Sequence, residues 1–499
     1  MERFERLKRR VAPAALNKRS ERPIAFAPFA VLRAAHARRR TRNELVTLAW
    51  PIAAAMAGET MIGLVDTKLV GGISAVALGG VGMATTLMYL QYAIIFGLMR
   101  GVKVRSSFAV GEGRAGDGLV YARAGVILGT IAGVVIFLLA RDVTWALDLL
   151  RVDTSIKVPA QEFLGAVTFG APATCALAAL IQHRQAIGDS RTPMVIGIAG
   201  NVLNAGLAIV LIYGKAGFPA LGVRGAGYAT AFTENVELLV MGGMLVKAKV
   251  VSTLPLRRAF REVAELGVPT GLQFGFEMLA FTAFTAILGS ISSQEIASHQ
   301  IALATIRTSF LPGVAISEAG CVLVGRALGE RRLDEADRVT FAALRLAAAF
   351  MGFCGILFAV FGSGIAGAFT RDPVVVRIAQ RLLYIAAIFQ VLDAVNIVLR
   401  GALRGAKDVR VVAFIGIAAT WTCIPTAAYF LGKMAGWGAA GGWCGFIAET
   451  TLASFLSWRR WQRGAWRLNY APRVAIPLEA KGIDGNAPGR HNARVSLGA

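Results

Sequence analysis

The residues of this chain with chemistry to do are carboxylates in the middle of apolar runs. Glu277 sits in GLQFGFEMLAF (residues 271–281), flanked by Phe274, Phe276, Leu279 and Phe281, and Asp393 sits in FQVLDAVN. An ionised carboxylate among hydrocarbon is costly unless a partner, a proton or a cation replaces the lost water. Such acids mark ion routes by default, the bland alternative being a neutral hydrogen-bonded pair that ties two helices together. Neither acid has an opposite charge nearby in sequence, so the two are expected to approach each other and share a proton or a bound cation. Asp66 and Glu59, seven residues apart, share one face of a helix. They are weaker candidates, the alternative being contacts near the helix end or with polar neighbours. Lys68 is expected to snorkel outward. Arg100 and Glu318 lie deep in long apolar stretches, and a charge pair across a cleft is one arrangement open to them. His299, in ASHQ, belongs to the residue type that titrates near neutrality, although a local cap or hydrogen bond at a loop edge explains it more simply. His183, beside Arg184, is expected to be solvated. No Cys or His spacing suggests a transition metal, no cofactor is implied, and no nucleophile stands with a base as an enzyme would need.

The elements that must position these residues are membrane spans. The chain has 499 residues, 56% hydrophobic and 17% charged, with a mean hydropathy of +0.59, well outside the soluble range. Spans of about 20 residues fall at 45–70, 76–105, 119–141, 160–183, 193–213, 223–247, 264–289, 296–325, 339–362, 380–400, 410–432 and 438–458. The net charge of +23 sits in the tails and alternate loops, which points to phosphate headgroups rather than nucleic acid. Arg105 and Arg114, Arg184 and Arg191, Arg257 and Arg258, Arg331 and Arg332, and Arg404 and Lys407 fall in the even-numbered loops, while loops such as GGISAVALGG carry no charge. The positive-inside rule then puts both termini in the cytoplasm of a multi-pass protein. The expected organisation is a basic N-terminal arm (1–44), a first lobe (45–247), a linker (248–263), a second lobe (264–460) and a disordered tail (461–499). The five cysteines lie inside apolar segments without paired spacing and read as helix-packing residues. Pro312-Gly313 can bend the eighth span.

The chain repeats itself. Pro51 matches Pro269 at an offset of 218 residues (269 − 51), and the same offset aligns Glu59 with Glu277, Ser74 with Ser292, Arg100 with Glu318, and Gly111-Glu112 with Gly329-Glu330. At an offset of 219, GDSR (188–191) lies against KDVR (407–410). The fold class is therefore all-α and polytopic, about twelve transmembrane helices in two pseudo-symmetric six-helix lobes. Six is even, so the repeats are parallel, a plan of secondary transporters that hold substrate between the halves.

VDTKLVGG (65–72), AIGDSRTPM (186–194), GVRGAGYAT (222–230), FEMLAF (276–281), ASHQIAL (297–303) and LRGALRGAKDVR (399–410) resemble segments of the multidrug and toxic compound extrusion (MATE) family, in family order, and most closely its bacterial NorM-type members. The resemblance implies a monomeric antiporter of the bacterial inner membrane that exports small organic compounds in exchange for protons or sodium ions. By position, Glu277 and Asp393 resemble the family's C-lobe cation-coupling acids; Asp66, Asn204 and Thr230 resemble parts of an N-lobe cation site. Where helix 5 of the family often carries a second acid, this chain has Ala208, which inclines the reading toward protons. The rival is a flippase for lipid-linked precursors, which needs cationic residues in its cavity; the sequence places chiefly acids in the lobe interiors.

Overall fold

The computed structural model describes residues 27–140, 153–247 and 251–470. Among the described residues the chain is helical throughout, with twelve long helices in chain order. The first half contains α1 (Ala27–Gly71), α2 (Ala75–Gly111), α3 (Ala115–Ala140), α4 (Thr154–Ala186), α5 (Arg191–Tyr213) and α6 (Val223–Lys247). The second contains α7 (Leu256–Gly289), α8 (Ser293–Gly329), α9 (Leu333–Phe369), α10 (Pro373–Gly405), α11 (Val409–Met434) and α12 (Gly438–Arg463). Ten are long and apolar enough to cross a membrane. The two that fall short by composition, α6 and α12, are counterparts in the two halves and carry Glu234 and Glu237 on one, Glu449 on the other.

The duplication is visible in how the helices begin and end. Ser74 and Ser292, in matching extended conformations, cap α2 and α8 by accepting hydrogen bonds from Ala77 N at 3.0 Å and Glu295 N at 3.1 Å. After the same helices the chain turns through a left-handed residue, Gly113 (φ 74°) in one half and Arg331 (φ 58°) in the other. The turns after α4 and α10 repeat this with Gly188 and Lys407. In the second half both turns are made by side chains that rarely adopt this backbone shape. Pro51, Pro269 and Pro312 lie inside helices without ending them. Gly313 is a packing glycine, because a methyl there would meet Met351 and Ile397.

Several boundaries move outward from the hydropathy reading, because helices continue past the hydrocarbon core where charges no longer cost anything. α7 begins at Leu256, inside the expected linker, and its first turns are supported by Arg258–Glu262 (2.8 Å) and Arg261–Glu265 (3.0 Å) pairs one turn apart. α1 begins inside the expected basic arm; the rest of that arm lies outside the described residues, as do residues 471–499. The start of the C-terminal tail is docked rather than loose. A 3₁₀ turn, Ala465–Asn469, stacks Trp466 on Trp461 at 4.4 Å, both rings fully buried. Trp461 Nε1 and Arg467 both donate to Asp337 on α9. Tyr470 reaches Ala406 O at 3.2 Å and stacks on Phe108 of α2. The Lys407 amine also lies over the Phe108 ring, 3.5 Å from its centre, and is pushed down to about 8 by burial and then by the nearby Arg105.

The halves meet at one end of the bundle. α2 crosses α7 where Gly97 and Gly101 face Gly267 and Gly271: a methyl on Gly97 would stand 2.6 Å from Gly271 Cα, and one on Gly271 would stand 2.6 Å from Ile94 O. Small residues let two backbones touch in this way. Gly111 and Gly329 repeat the contact between α2 and α8. A shared core runs from Leu45 and Leu48 through Val104, Leu266 and Val324 to Leu403. At the opposite end each half has its own core, around Val70, Ala160 and Ile212 in the first and Phe284, Leu382 and Trp443 in the second. The molecule is therefore joined at the end carrying the basic even-numbered loops.

Candidate functional site

Glu277 is answered by a cation, which corrects the expectation that it lacks one. The α7 stretch that carries it packs on α11, and Arg400 of α10 reaches it to form an ion pair with Glu277 Oε1. Gln273, one turn earlier, donates to the same oxygen from Nε2 at 2.9 Å. Room for the three side chains is made by Gly416 of α11, whose missing methyl would stand 2.5 Å from Glu277 Oε1 and 2.8 Å from Arg400 Nη2. Asp393, 8% exposed, makes no hydrogen bond to Glu277; the two acids are linked through a shared electrostatic neighbour, Arg400. A third acid completes the group. Glu449 of α12 lies in electrostatic reach of Arg400, Asp393 and Glu277. One carboxylate thus pairs with a guanidinium that two more have within electrostatic range. The amide oxygens of Gln273, Gln390 and Asn396 are buried without a donor. Such a region has an excess of acceptors, the condition that attracts a proton or a cation. Among the described residues no three His, Cys, Asp or Glu side chains converge at metal-ligand spacing.

A second charged group lies on the seam between the halves. Arg100 Nη2 and Lys103 Nζ of α2 each reach a different oxygen of Glu318 on α8, both at 2.6 Å, so the two symmetry-related charges do meet. Lys103 is 1% exposed and also donates to Gln185 Oε1 at 2.7 Å. Phe274 is covered by two guanidinium groups, Arg100 at 4.4 Å and Arg404 at 5.3 Å from its ring centre. Arg404, assigned to a loop by hydropathy, is a buried residue in the last turn of α10. The lobe interiors therefore hold cations as well as acids, contrary to the sequence reading.

In the first half Asn204 of α5 donates from Nδ2 to Thr230 Oγ1 of α6 at 3.1 Å, while its own Oδ1 finds no donor. Asp66 is half-buried on α1, Lys68 is exposed, and the Asn204 amide bonds Thr230 rather than Asp66. Glu59 is exposed, within electrostatic range of Tyr89 and Glu237. Glu234, unnoticed in the sequence, accepts from Thr174 Oγ1. His299 is an interior structural residue: its Nδ1 accepts from Trp443 Nε1 at 3.2 Å and its ring meets Phe284 edge-on. His183 is 3% exposed rather than solvated and shares a 3.1 Å hydrogen bond with Ser106 Oγ, because α3 covers this turn of α4.

The residues that sequence reasoning missed, Arg400, Arg404, Glu449, Lys103 and Glu234, had a usable signal. Each is a charge inside or abutting an apolar run, the criterion that had singled out Glu277. Hydropathy assigns Arg404 to a loop, whereas Lys103, Glu234, Arg400 and Glu449 fall inside the expected spans.

A profile of the MatE family matches residues 51–210 and again residues 269–429, so the two matches start 218 residues apart. The chain is 28% identical over 427 residues to the multidrug resistance protein MdtK of Yersinia pestis (strain Pestoides F), covering 83% of this chain and 93% of that protein. Its fold is similar to that of the Vibrio cholerae MATE transporter VcmN in the bent form, with a TM-score of 0.79 at 17% identity over 87% of this chain and 99% of that one. It is equally similar to that of a MOP superfamily transporter from Pyrococcus furiosus, with a TM-score of 0.79 at 20% identity over 86% and 97% of the two chains. With both of its halves matched and a twelve-helix fold shared with solved transporters, this chain belongs to the multidrug and toxic compound extrusion (MATE) family of multi-pass membrane transporters.

Proposed function

We propose that the protein is a cation-coupled antiporter of the bacterial inner membrane, acting as a monomer, that exports small organic, chiefly cationic, compounds by alternating access. The carrying observation is the group of Glu277, Asp393 and Glu449 around the single Arg400, bordered by amide oxygens without donors. With all three acids ionised the group holds two uncompensated negative charges, which protons or sodium ions would offset. Glu277 is fixed by Arg400, so Asp393 and Glu449 are the acids free to take up and release the coupling ion. Positive-inside orientation supports placing the joined, basic end in the cytoplasm with both termini, and the cleft toward the outside. Rocking the lobes would then break the Arg100–Glu318 and Lys103–Glu318 pairs and expose the cleft inward.

The test is uptake of a fluorescent organic cation into proteoliposomes under an imposed proton gradient, and separately under a sodium gradient. Asp393→Asn and Glu449→Gln are expected to abolish gradient-driven transport while leaving protein level near normal. Transport that persists when both are neutralised would end the proposal. The buried cations Lys103 and Arg404 and the half-buried Arg100 support a second reading, translocation of lipid-linked precursors with anionic headgroups. A protein that moves such a lipid across vesicles but fails to move the dye would select it.

A further inference from the structure

The seam between the halves contains a cavity lined by Arg100, Lys103, Thr270, Glu318, Cys321 and Arg404 among others, with room for one water-sized occupant. Its charges do not balance. Three cations face one acid, and Arg100 and Lys103 already take both oxygens of Glu318. That leaves Arg404 without a direct ion-pair contact among the described residues: it is 93% buried, its Nε has no acceptor, and its guanidinium lies over the face of Phe274. The other polar group on the wall is already committed, since the Thr270 hydroxyl donates to Leu266 O at 3.0 Å. The acids in electrostatic range of Arg404 are already paired, Glu318 with Arg100 and Lys103 and Glu277 with Arg400, so the desolvation of this buried guanidinium is only partly offset by the protein, and a water molecule in the cavity would satisfy donors without supplying charge.

We propose that this cavity is a binding site for a small monovalent inorganic anion of chloride size, held by Arg404 from the second half and by Arg100 and Lys103 from the first. The size of the space excludes sulfate and phosphate. Because its donors come from both halves, the anion binds the state in which the seam is closed, and by mass action it stabilises that state. This site is separate from the acids around Arg400 and does not rest on the coupling mechanism proposed above.

The experiment is thermal unfolding of the purified full-length protein in detergent, with chloride replacing gluconate at constant ionic strength. Melting temperature is expected to rise saturably with chloride, similarly with bromide, and not with sulfate. Arg404→Gln is expected to abolish the chloride response and to melt above wild type in gluconate, since an unpaired charge has been removed. Should that variant fail to fold, the chloride-35 NMR line of the wild-type sample decides: line broadening that bromide competes away supports the site, and its absence overturns it. A wild-type melting temperature that ignores the anion, or a chloride response that survives in Arg404→Gln, equally overturns the assignment.

Discussion

Replacing Gly416 by alanine tests whether the acids of the second half are held as described. The added methyl would lie 2.5 Å from Glu277 Oε1, 2.6 Å from Gln273 Nε2 and 2.8 Å from Arg400 Nη2. Ordinary contacts between such atoms need well over 3 Å, roughly the spacing of non-bonded heavy atoms at best separation, so the ion pair must shift or part. Overpacking of this kind costs about 1–3 kcal/mol. Against it stands the gain of about 1 kcal/mol that glycine to alanine brings inside a helix. Gly364 of α9 provides the internal control, because a methyl there meets nothing within 4 Å. Gly364→Ala should therefore hold or raise the melting temperature, whereas Gly416→Ala should lower it. Gradient-driven dye transport by Gly416→Ala should fall at least about tenfold, the equivalent of some 1.4 kcal/mol. If Gly416→Ala transports like wild type and melts no lower than Gly364→Ala, the cluster is not packed against α11 and the reasoning fails.

Lys407→Met should raise the melting temperature at pH 7. The amine's value in the folded protein, about 8 against an ordinary 10.5, means the folded state resists protonation; the penalty, about 3 kcal/mol, applies below pH 8 and disappears as pH rises toward 10.5. The gap between variant and wild type should close over that window, and a gap constant with pH would contradict it. Trp461→Ala should lower stability by about 3–5 kcal/mol, through loss of the Trp466 stack and the bond to Asp337, and truncation after Gly464 should do the same; thermal melts that tolerate both would show the tail to be a passenger. Asp66→Asn should impair dye transport more than Glu59→Gln, since Asp66 is the less exposed of the two, and equal activities would make this face of α1 passive.

The architecture was legible because it is written in two long-range regularities, hydropathy and the 218-residue repeat. Both survive loss of local detail. The charged groups were legible only where an acid interrupts a hydrophobic run near its middle, as with Glu277 and Asp393. Arg404 escaped because a charge at a span's edge looks like a loop residue until the neighbouring helices are known to extend past it. The pairing of Lys103 with Glu318 crosses 215 residues, and nothing in local spacing reports a contact between halves. His183 shows the same limit from the other side: its neighbour Arg184 suggested water, yet α3 covers it.

The crossing of α2 and α7 has a mechanical consequence. Where most helix pairs interlock side chains as knobs in holes, Gly97, Gly101, Gly267 and Gly271 present backbone to backbone. Relative rotation of two interlocked helices must drag each knob over a ridge; two smooth surfaces have few such ridges to climb. Under the rocking cycle proposed above, this crossing serves as a bearing on which one half turns against the other. Its smoothness, rather than any hinge within a helix, would then set how freely the lobes swing.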